Sequence, residues 1–443
     1  MGWDTKSDGT GKRYDEWDTI AGSEDITVYA QWCTYDALTY KLSSASDWNA
    51  FFNRKSLVES VELASDFTAP NLDFTTEKTF SGTFNGNGKK ISGITKRLFA
   101  SIGAAGSIQK LTVHASSMDG FASNGIIASK NEGAISECTV EGSVKTEEEN
   151  AGGIVGENAG TISKCVSHAA FYLAKSTNVG SIAGLNAGAS AKIEECEYKT
   201  AVNPSKAENV GGYVGKNGAG GTITKCVATD AVTGEKNVGG IAGYNGGAIS
   251  YCNSSAAIDG IGTESNIGGI AGFNNHGSNS ETGSVTRCHA WGTAQASRSV
   301  DNTCVGGIIG RSTCASARTV NVEACAAAGT LIGGKYQGGL IGYNDGSRAS
   351  YCYAALKAVQ YYKSIGTAAK TGGLYGLEVG DDSRTGWVHS YTSSENGVDL
   401  HCTGDGRNGS LYTYNVSSIA SKLSKINKGS ATWTSNTGAH GVS

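Results

Sequence analysis

Gly152-Gly-Ile-Val-Gly-Glu-Asn-Ala-Gly-Thr-Ile-Ser-Lys-Cys165 returns, nearly letter for letter, as Gly239-Gly-Ile-Ala-Gly-Tyr-Asn-Gly-Gly-Ala-Ile-Ser-Tyr-Cys252. Shorter copies stand at Gly211–Asn217, Gly268–Asn274, Gly306–Gly310 and Gly338–Asn344, and degenerate ones open at Asn124, Gly180 and Gly372. With the second glycine as marker (Gly125, Gly153, Ser181, Gly212, Gly240, Gly269, Gly307, Gly339, Gly373), nine units follow one another at a mean step of 31 residues. A fixed period of that length is the signature of a repeat architecture, in which each unit buries its apolar face against the next.

No unit carries a helical period. Each reads as a short strand, an Asn/Gly turn and a second short strand ending in an aliphatic residue and a cysteine. The aliphatic-to-cysteine offset is three in every copy: Ile135–Cys138, Ile162–Cys165, Ile193–Cys196, Ile223–Cys226, Ile249–Cys252, Val285–Cys288, Val322–Cys325 and Ala349–Cys352. An odd offset along one strand places two side chains on opposite faces. Two apolar residues kept at that offset imply a bend between them that turns both inward, and a corner in every unit means a coil with sides. The reading is all-β: a right-handed parallel β-helix of about nine coils with short cap helices, its hand set by the crossover rule. At ~4.8 Å per rung the nine coils make a rod about 43 Å long.

Stacking accounts for the other columns. Ile154, Ile182, Tyr213, Ile241, Ile270, Ile308, Leu340 and Leu374 are expected to form one core ladder. Asn131, Asn158, Asn186, Asn217, Asn245, Asn274 and Asn344 share one turn position, where amides bond rung to rung and asparagine tolerates a left-handed corner. The glycine pairs are expected where φ must be positive. Proline, of which there are 2, is scarce because it would delete a ladder hydrogen bond.

Composition narrows the function classes. Of 443 residues 64 are glycine, without the proline that collagen needs, and charged residues are only 17%, which argues against charge-driven disorder. A net charge of −4 gives no basic field for nucleic acid or anionic lipid. No apolar run reaches the ~20 residues of a membrane helix, and Met1-Gly2-Trp3-Asp4 does not begin a signal peptide.

The Gly-Gly-[Ile/Leu]-x-Gly-x-Asn-x-Gly-x-Ile-x-x-Cys unit resembles the GLUG-motif repeat of bacterial surface proteins, found beside IgA1-specific metallopeptidase domains. Phe80-Ser-Gly-Thr-Phe-Asn-Gly-Asn-Gly-Lys-Lys-Ile-Ser-Gly-Ile94 looks like the lead-in rung of such repeats, so that the resemblance spans roughly 40–430. Residues 2–32, from Gly2-Trp-Asp-Thr through Tyr14-Asp-Glu-Trp17 to Ile26-Thr-Val-Tyr-Ala-Gln-Trp32, resemble the second half of a Listeria–Bacteroides repeat, a small β-grasp-like module of exported proteins. Its first half is missing, which makes the chain an expected excerpt of a longer exported protein. The implied organisation is a partial module at 1–35, an N-terminal cap with lead-in rungs at 36–120, the repeat β-helix at 121–376, and last rungs with a C-terminal cap helix at 377–443.

Both ends of a β-helix are open sheet edges that need covering. Ser46-Asp-Trp-Asn-Ala-Phe-Phe52 reads as one cap helix with Ser46 at its N-cap, and Val416, Ile419, Ala420, Leu423 and Ile426 before Gly429 as another.

Candidate chemistry is sparse. The ladder cysteines (Cys138, Cys165, Cys196, Cys226, Cys252, Cys288, Cys325, Cys352) lie in parallel columns with poor bridging geometry and read first as reduced core thiols, with a few bridges or a metal stack as lesser alternatives. Cys304 and Cys314 lie off the ladder, where a local disulfide is an even alternative; Cys33 and Cys402 have no assignment. The residue after the third-glycine position of each unit, which precedes asparagine in seven of them, gives a column of Lys130, Glu157, Leu185, Lys216, Tyr244, Phe273, Arg311, Tyr343 and Leu377, which, if it faces outward, makes a surface with one isolated carboxylate. Sugar-cleaving β-helices need clustered carboxylates or calcium-binding aspartates. The Asp381-Asp382 pair reads as a solvated turn, and no HExxH, phosphate loop or shared histidine position is found. Tyr244 and Phe273, continued by Arg311 and Tyr343, form a ribbon able to stack on sugar rings or a protein partner, against the plainer reading of rings that stabilise a sheet. Trp291 and His289, in the longest unit, are expected on a binding loop.

The expected function is a non-catalytic segment of an exported bacterial cell-surface protein, an adhesin or display stalk for host or environmental glycans or glycoproteins. No catalytic residue, metal, cofactor, nucleic acid or membrane insertion is expected. The alternatives are a carbohydrate-active β-helix enzyme, as polysaccharide lyase or glycoside hydrolase, and an accessory domain of a large surface peptidase.

Overall fold

The computed structural model describes residues 2–5, 13–15, 26–31, 39–52, 58–68 and 79–360, the last range interrupted at 117, 120–123, 146–148, 173–175, 205, 278–279, 298–301 and 316–319. It also describes strands at 370–372, 375–379, 391–394 and 412–413. The C-terminal cap helix expected at 416–426, like Asp381, Asp382, Leu374, Cys33 and Cys402, lies outside the described residues. Near the start, Gly2–Asp4 pairs antiparallel with Arg13–Asp15 and Tyr29–Gln31 in a three-stranded sheet.

The described residues from 39 onward form a parallel β-helix with one helix at its start. One coil shows the plan. Ala151–Gly152 leads through a sharp bend into Val155–Asn158, a turn leads to Thr161–Ser163, the cysteine corner to Val166–Phe171, and Ser176–Gly180 closes the coil. The strands equivalent to Val155–Asn158 form sheet I, of 11 strands, and those equivalent to Thr161–Ser163 form sheet II, of 12. Those after the cysteine form sheet III, in consecutive parts of 7 and 10 strands, and those before the glycine pair form sheet IV, of 8. Twelve rungs make sheet II about 53 Å long. The register is that of like on like: Ile135, Ile162, Ile193, Ile223, Ile249, Val285, Val322 and Ala349 pair in turn along sheet II.

The bend inferred between the aliphatic residue and the cysteine is present in all eight coils that carry a ladder cysteine, and its cause is one left-handed residue immediately before that cysteine. Glu137, Lys164, Glu195, Lys225, Tyr251, Arg287, Ala324 and Tyr351 have φ between 52 and 55°. These are not the residues that favour φ > 0 intrinsically. The interior holds them there, because relaxing the corner would swing either the isoleucine or the cysteine out of the core. The expected assignment of left-handed corners to the ladder asparagines is therefore corrected: none of Asn131, Asn158, Asn186, Asn217, Asn245, Asn274 and Asn344 has positive φ, and all are strand residues pointing inward.

The glycine pairs need a second correction. They too lack positive φ; their requirement is space. A Cβ on Gly268 would lie 2.1 Å from the carbonyl oxygen of Ala271 and 2.7 Å from the amide of Gly310 on the next rung, both backbone atoms that cannot swing aside. Both positions carry that requirement in the regular coils, since a Cβ on Gly269 would likewise lie 2.4 Å from the carbonyl oxygen of Gly307. In one coil the second is replaced by Ser181, whose hydroxyl bonds Ser167 at 3.0 Å. In the first coil Gly125 approaches the Val155 backbone as Gly180 approaches that of Val214, so Gly125 is the first glycine of its unit and Ile126 stands where the second would be.

Inside, the asparagine ladder is continuous. Each Nδ2 donates to the Oδ1 of the next rung, Asn131 to Asn158 to Asn186 to Asn217 to Asn245 to Asn274, at 2.7–2.8 Å. The chain then passes to Ser312 and Ser347. A second ladder, absent from the sequence reading, runs along sheet IV: Asn266 donates to Asn237, Asn237 to Asn209, Asn209 to Asn178 and Asn178 to Asn150, at 2.6–2.8 Å. Its bonds point toward the N-terminus and those of the first toward the C-terminus.

The described cap helix α1, Ala45–Phe52, closes the N-terminal end of the core. Its N-cap is Ser44, whose Oγ accepts from the Asp47 amide at 3.2 Å while Asp47 accepts from the Ser43 amide at 2.8 Å, a reciprocal capping arrangement. Ser46, the expected cap, lies inside the helix because the capping oxygen must precede the first helical turn. Trp48 and Phe51 are buried against Phe80, Phe84 and Phe99, with ring centroids 5.7–6.5 Å apart.

Candidate functional site

On a sheet I strand the ladder asparagine points in, and the residue before it points out. The outward column is in register throughout, Lys130 opposite Glu157, then Leu185, Lys216, Tyr244, Phe273, Arg311 and Tyr343, and the backbone register continues to Leu377. The column also has a flank. Seven residues before each member, a sheet IV side chain of the same coil faces it across the glycine bend: Asn150 Nδ2 donates to Glu157 Oε1 at 2.9 Å, and the Tyr336 and Tyr343 rings meet edge to face at 5.5 Å. Outward side chains of successive strands can touch only where the surface is re-entrant. Sheets IV and I thus enclose an external valley, with the amides of Asn150, Asn178, Asn209, Asn237 and Asn266 almost covered along its floor. Cys304 takes the next floor position and Tyr336 the one after.

The two halves of the valley differ. Toward the N-terminus the wall is polar, and its charges are engaged: Lys130 by Glu132 at 2.6 Å, Glu157 by Asn150, and Lys216 by Glu281 at 3.7 Å. Toward the C-terminus the wall is aromatic and cationic. The Tyr244 and Phe273 rings lie 5.2 Å apart, tilted by 35°, Lys216 Nζ sits 4.9 Å over the Tyr244 ring, and the Arg311 guanidinium 4.6 Å over Tyr343. Cation–π contacts of this kind hold a guanidinium parallel to its ring.

Tyr244 does not serve as the free face that the sequence suggested. Its hydroxyl donates to Glu281 Oε2, and Asn275 Nδ2 donates to the same oxygen and to the Tyr244 oxygen. Glu281 comes from the insertion after His276, which folds back on sheet I, and its side chain is only 9% exposed. Burial first, and the Glu281 hydrogen bond second, push the Tyr244 phenol above its ordinary pKa. The network anchors the insertion. Sequence reasoning missed Glu281 because an insertion has no repeat position to mark it. The part of the ribbon outside that network is Phe273, Arg311 and Tyr343, each half-buried.

Trp291 and His289 belong elsewhere. His289 is not on a loop: with Ala290 it forms a sheet III strand in register with Asn253 and Ala326, and Trp291 follows it, 41% exposed. Burial lowers the His289 pKa. The structure does not bring this pair to the valley, since sheets III and I are separate flanks. The extra length of that coil is spent around 277–283 and 297–303 instead.

A shared histidine position also exists, against the sequence reading. His114 and His168 flank Glu141 on three consecutive rungs of sheet III. Each lies three residues after the corner residue Leu111, Cys138 or Cys165, so counting from the cysteine would have found them. Lys90 holds the Glu141 carboxylate at 2.9 Å and, as the largest influence, lowers its pKa. Among the described residues no three His, Cys, Asp or Glu side chains converge as metal ligands.

The ladder cysteines are free thiols in the core, each donating to the carbonyl two residues before it at 3.2–3.4 Å. Burial pushes Cys165, Cys196, Cys226, Cys288 and Cys352 well above the usual thiol range. Cys304 and Cys314, on sheets IV and I, are not joined by a disulfide. Burial pushes Cys304 up to about 12, with the nearby Arg311 charge opposing the rise.

No protein-family model and no curated protein matches the sequence. The resemblance to the GLUG-motif repeat accordingly rests on the residues quoted above. One solved structure is similar, a Bacteroides ovatus protein provisionally described as an immunoglobulin A1 protease, at 15% identity over 90% of each chain with a TM-score of 0.27. A superposition that loose carries no argument about fold or function.

Proposed function

We propose that this chain is a non-catalytic, ligand-binding segment of an exported bacterial surface protein and that it holds glycans along the C-terminal half of its valley. The observation that carries this reading is the run Phe273–Arg311–Tyr343, three in-register side chains with planar faces on consecutive rungs of a re-entrant, partly exposed surface. Planar faces of this kind stack on sugar rings, and regular rungs present them at ~4.8 Å intervals on a rigid support. Support for a binding rather than a cleaving role comes from Glu281. The buried carboxylate beside the ribbon is committed to Tyr244, Asn275 and Lys216, an arrangement that fixes a loop rather than frees a proton carrier.

The test is a screen of the purified chain on arrayed host, mucin and plant glycans, with Phe273→Ala/Tyr343→Ala as control. The expected result is a reproducible set of glycans whose binding falls at least ~10-fold in the double variant, as for loss of stacking contacts of about 1.4 kcal/mol or more. A blank array, or binding that the double variant keeps, overturns the assignment and leaves the rod as a display stalk. Tyr244 is left intact because its loss would free the Glu281 insertion and confuse the readout.

A further inference from the structure

Arg311 differs from every other charged member of its column that has a described side chain. Lys130, Glu157 and Lys216 each meet a polar partner within the protein. Arg311 has no ion pair and no hydrogen bond among the described residues, and its Nε is buried without an acceptor. A buried N–H without an acceptor is a cost that native proteins seldom carry for nothing. The guanidinium is also held in place: it lies over the Tyr343 ring, and the Phe273 rung is its neighbour on the other side. A planar fork of donors fixed between aromatic rungs is preorganised for a planar, two-oxygen acceptor.

A second row runs beside the first. Two residues further along the same three strands stand Asn275, Thr313 and Asp345, in register and partly exposed, with Thr313 Oγ1 donating to Asn275 Oδ1 at 3.0 Å. Two residues along a strand is about 6.6 Å, close to the width of a pyranose ring. One row offers stacking faces and a cation; in the other the Asn275 amide is engaged within the protein, and the Thr313 hydroxyl oxygen and the Asp345 carboxylate can accept from sugar hydroxyls. Asp345 sits on the Tyr343 rung and makes no ion pair with Arg311, so the cation is not neutralised from within.

From this we propose that the valley selects glycans bearing a carboxylate, sialate or uronate, through bidentate capture by Arg311. The proposal rests on the glycan-binding reading above and sharpens it to a substrate class. Sulfated sugars share the negative charge but not the planar two-oxygen edge, and the experiment separates them.

Affinities of the intact chain are measured for matched oligosaccharides: sialylated against desialylated, uronate against its carboxyl-reduced form, and a sulfated analogue. The expected result is at least ~10-fold tighter binding of each carboxylate form than of its neutral or sulfated counterpart. In Arg311→Gln the preference should vanish while weak, stacking-driven binding of both forms remains. Arg311→Lys, which keeps the charge and removes the fork, should lose most of the preference. Thermal unfolding of both variants within a few degrees of wild type shows that the fold is retained. Equal binding of acidic and neutral forms by the wild type, a stronger response to sulfate, or a preference that survives in Arg311→Gln overturns acid selection and leaves glycan binding standing. Failure of every glycan to bind overturns the reading beneath it.

Discussion

Lys216 and Asn217 are neighbours on one sheet I strand, and their surroundings could hardly differ more. Asn217 is fully buried and meets copies of itself, donating to Asn245 and accepting from Asn186. Lys216 faces out and meets a leucine on one rung and a tyrosine on the next. The interior repeats because in a parallel in-register stack the environment of each residue is that same residue one rung away, so any change is felt by two neighbours. The exterior has no such constraint, and chemistry can change along the axis without disturbing the stack. Structure is written in the columns that repeat, and any specificity is written in those that do not.

The hardest test of that division is Gly268→Ala. Its Cβ would meet backbone atoms at 2.1 and 2.7 Å, so the bend between sheets IV and I must open. A loss above about 4 kcal/mol, or failure to fold, is expected in urea unfolding; a tolerated alanine would show that the bend is not dictated by space. Next comes the paired comparison of Asn217→Leu with Lys216→Ala. The first removes two buried amide bonds and strands their partners, for an expected loss of about 2–4 kcal/mol, while the second, which removes a long ion pair and a cation–π contact but leaves Glu281 its hydrogen bonds, should cost no more than about 1 kcal/mol. Equal losses would break the contrast between the two faces. Tyr244→Phe keeps the stack on Phe273 and deletes the hydroxyl that holds Glu281; about 1–2 kcal/mol is expected, together with faster proteolysis or amide exchange confined to the 276–283 insertion. Unchanged protection there would show that Glu281 does not anchor it.

The smallest effect lies on sheet III. Lys90 lowers the Glu141 pKa in the folded chain, so its stabilisation is complete above the unfolded carboxylate value near 4.3 and is lost as pH falls through the lower folded value. Both side chains are more than a third exposed, which limits the contribution to about 0.5 kcal/mol. Lys90→Ala should narrow the difference in stability between pH 7 and pH 3 by no more than that, and an effect several times larger would mean that the pair is worth more than an exposed ion pair.

The parallel stack and its corner were legible because they are forced by one spacing: an isoleucine and a cysteine three apart cannot both be buried without a bend. The residue at the bend was not legible. Glu137, Lys164 and Tyr251 have no left-handed preference of their own, and the conformation is imposed by the buried residues on either side. The second asparagine ladder was within reach, since Asn178, Asn209, Asn237 and Asn266 each stand two residues before the first glycine. Counting forward from the glycines concealed it, as it concealed the column of His114, Glu141 and His168. The column of Tyr244, Phe273, Arg311 and Tyr343 was readable as a line, but the valley was not, because Asn150, Cys304 and Tyr336 approach it across a bend whose direction no spacing reveals. Glu281, on an insertion, had no pattern to be read from.

The two asparagine ladders carry one further consequence. A row of amides bonded head to tail adds its dipoles, as peptide units do in a helix, and a long row would leave one end of the rod electrically unlike the other. Here the rows point in opposite senses, so each coil that carries both adds two amide dipoles that largely cancel. The electric field at the ends is then nearly independent of how many such coils lie between them. Coils can be gained or lost by duplication or deletion without altering what the termini present to their neighbours, which lets length vary while the ends stay the same.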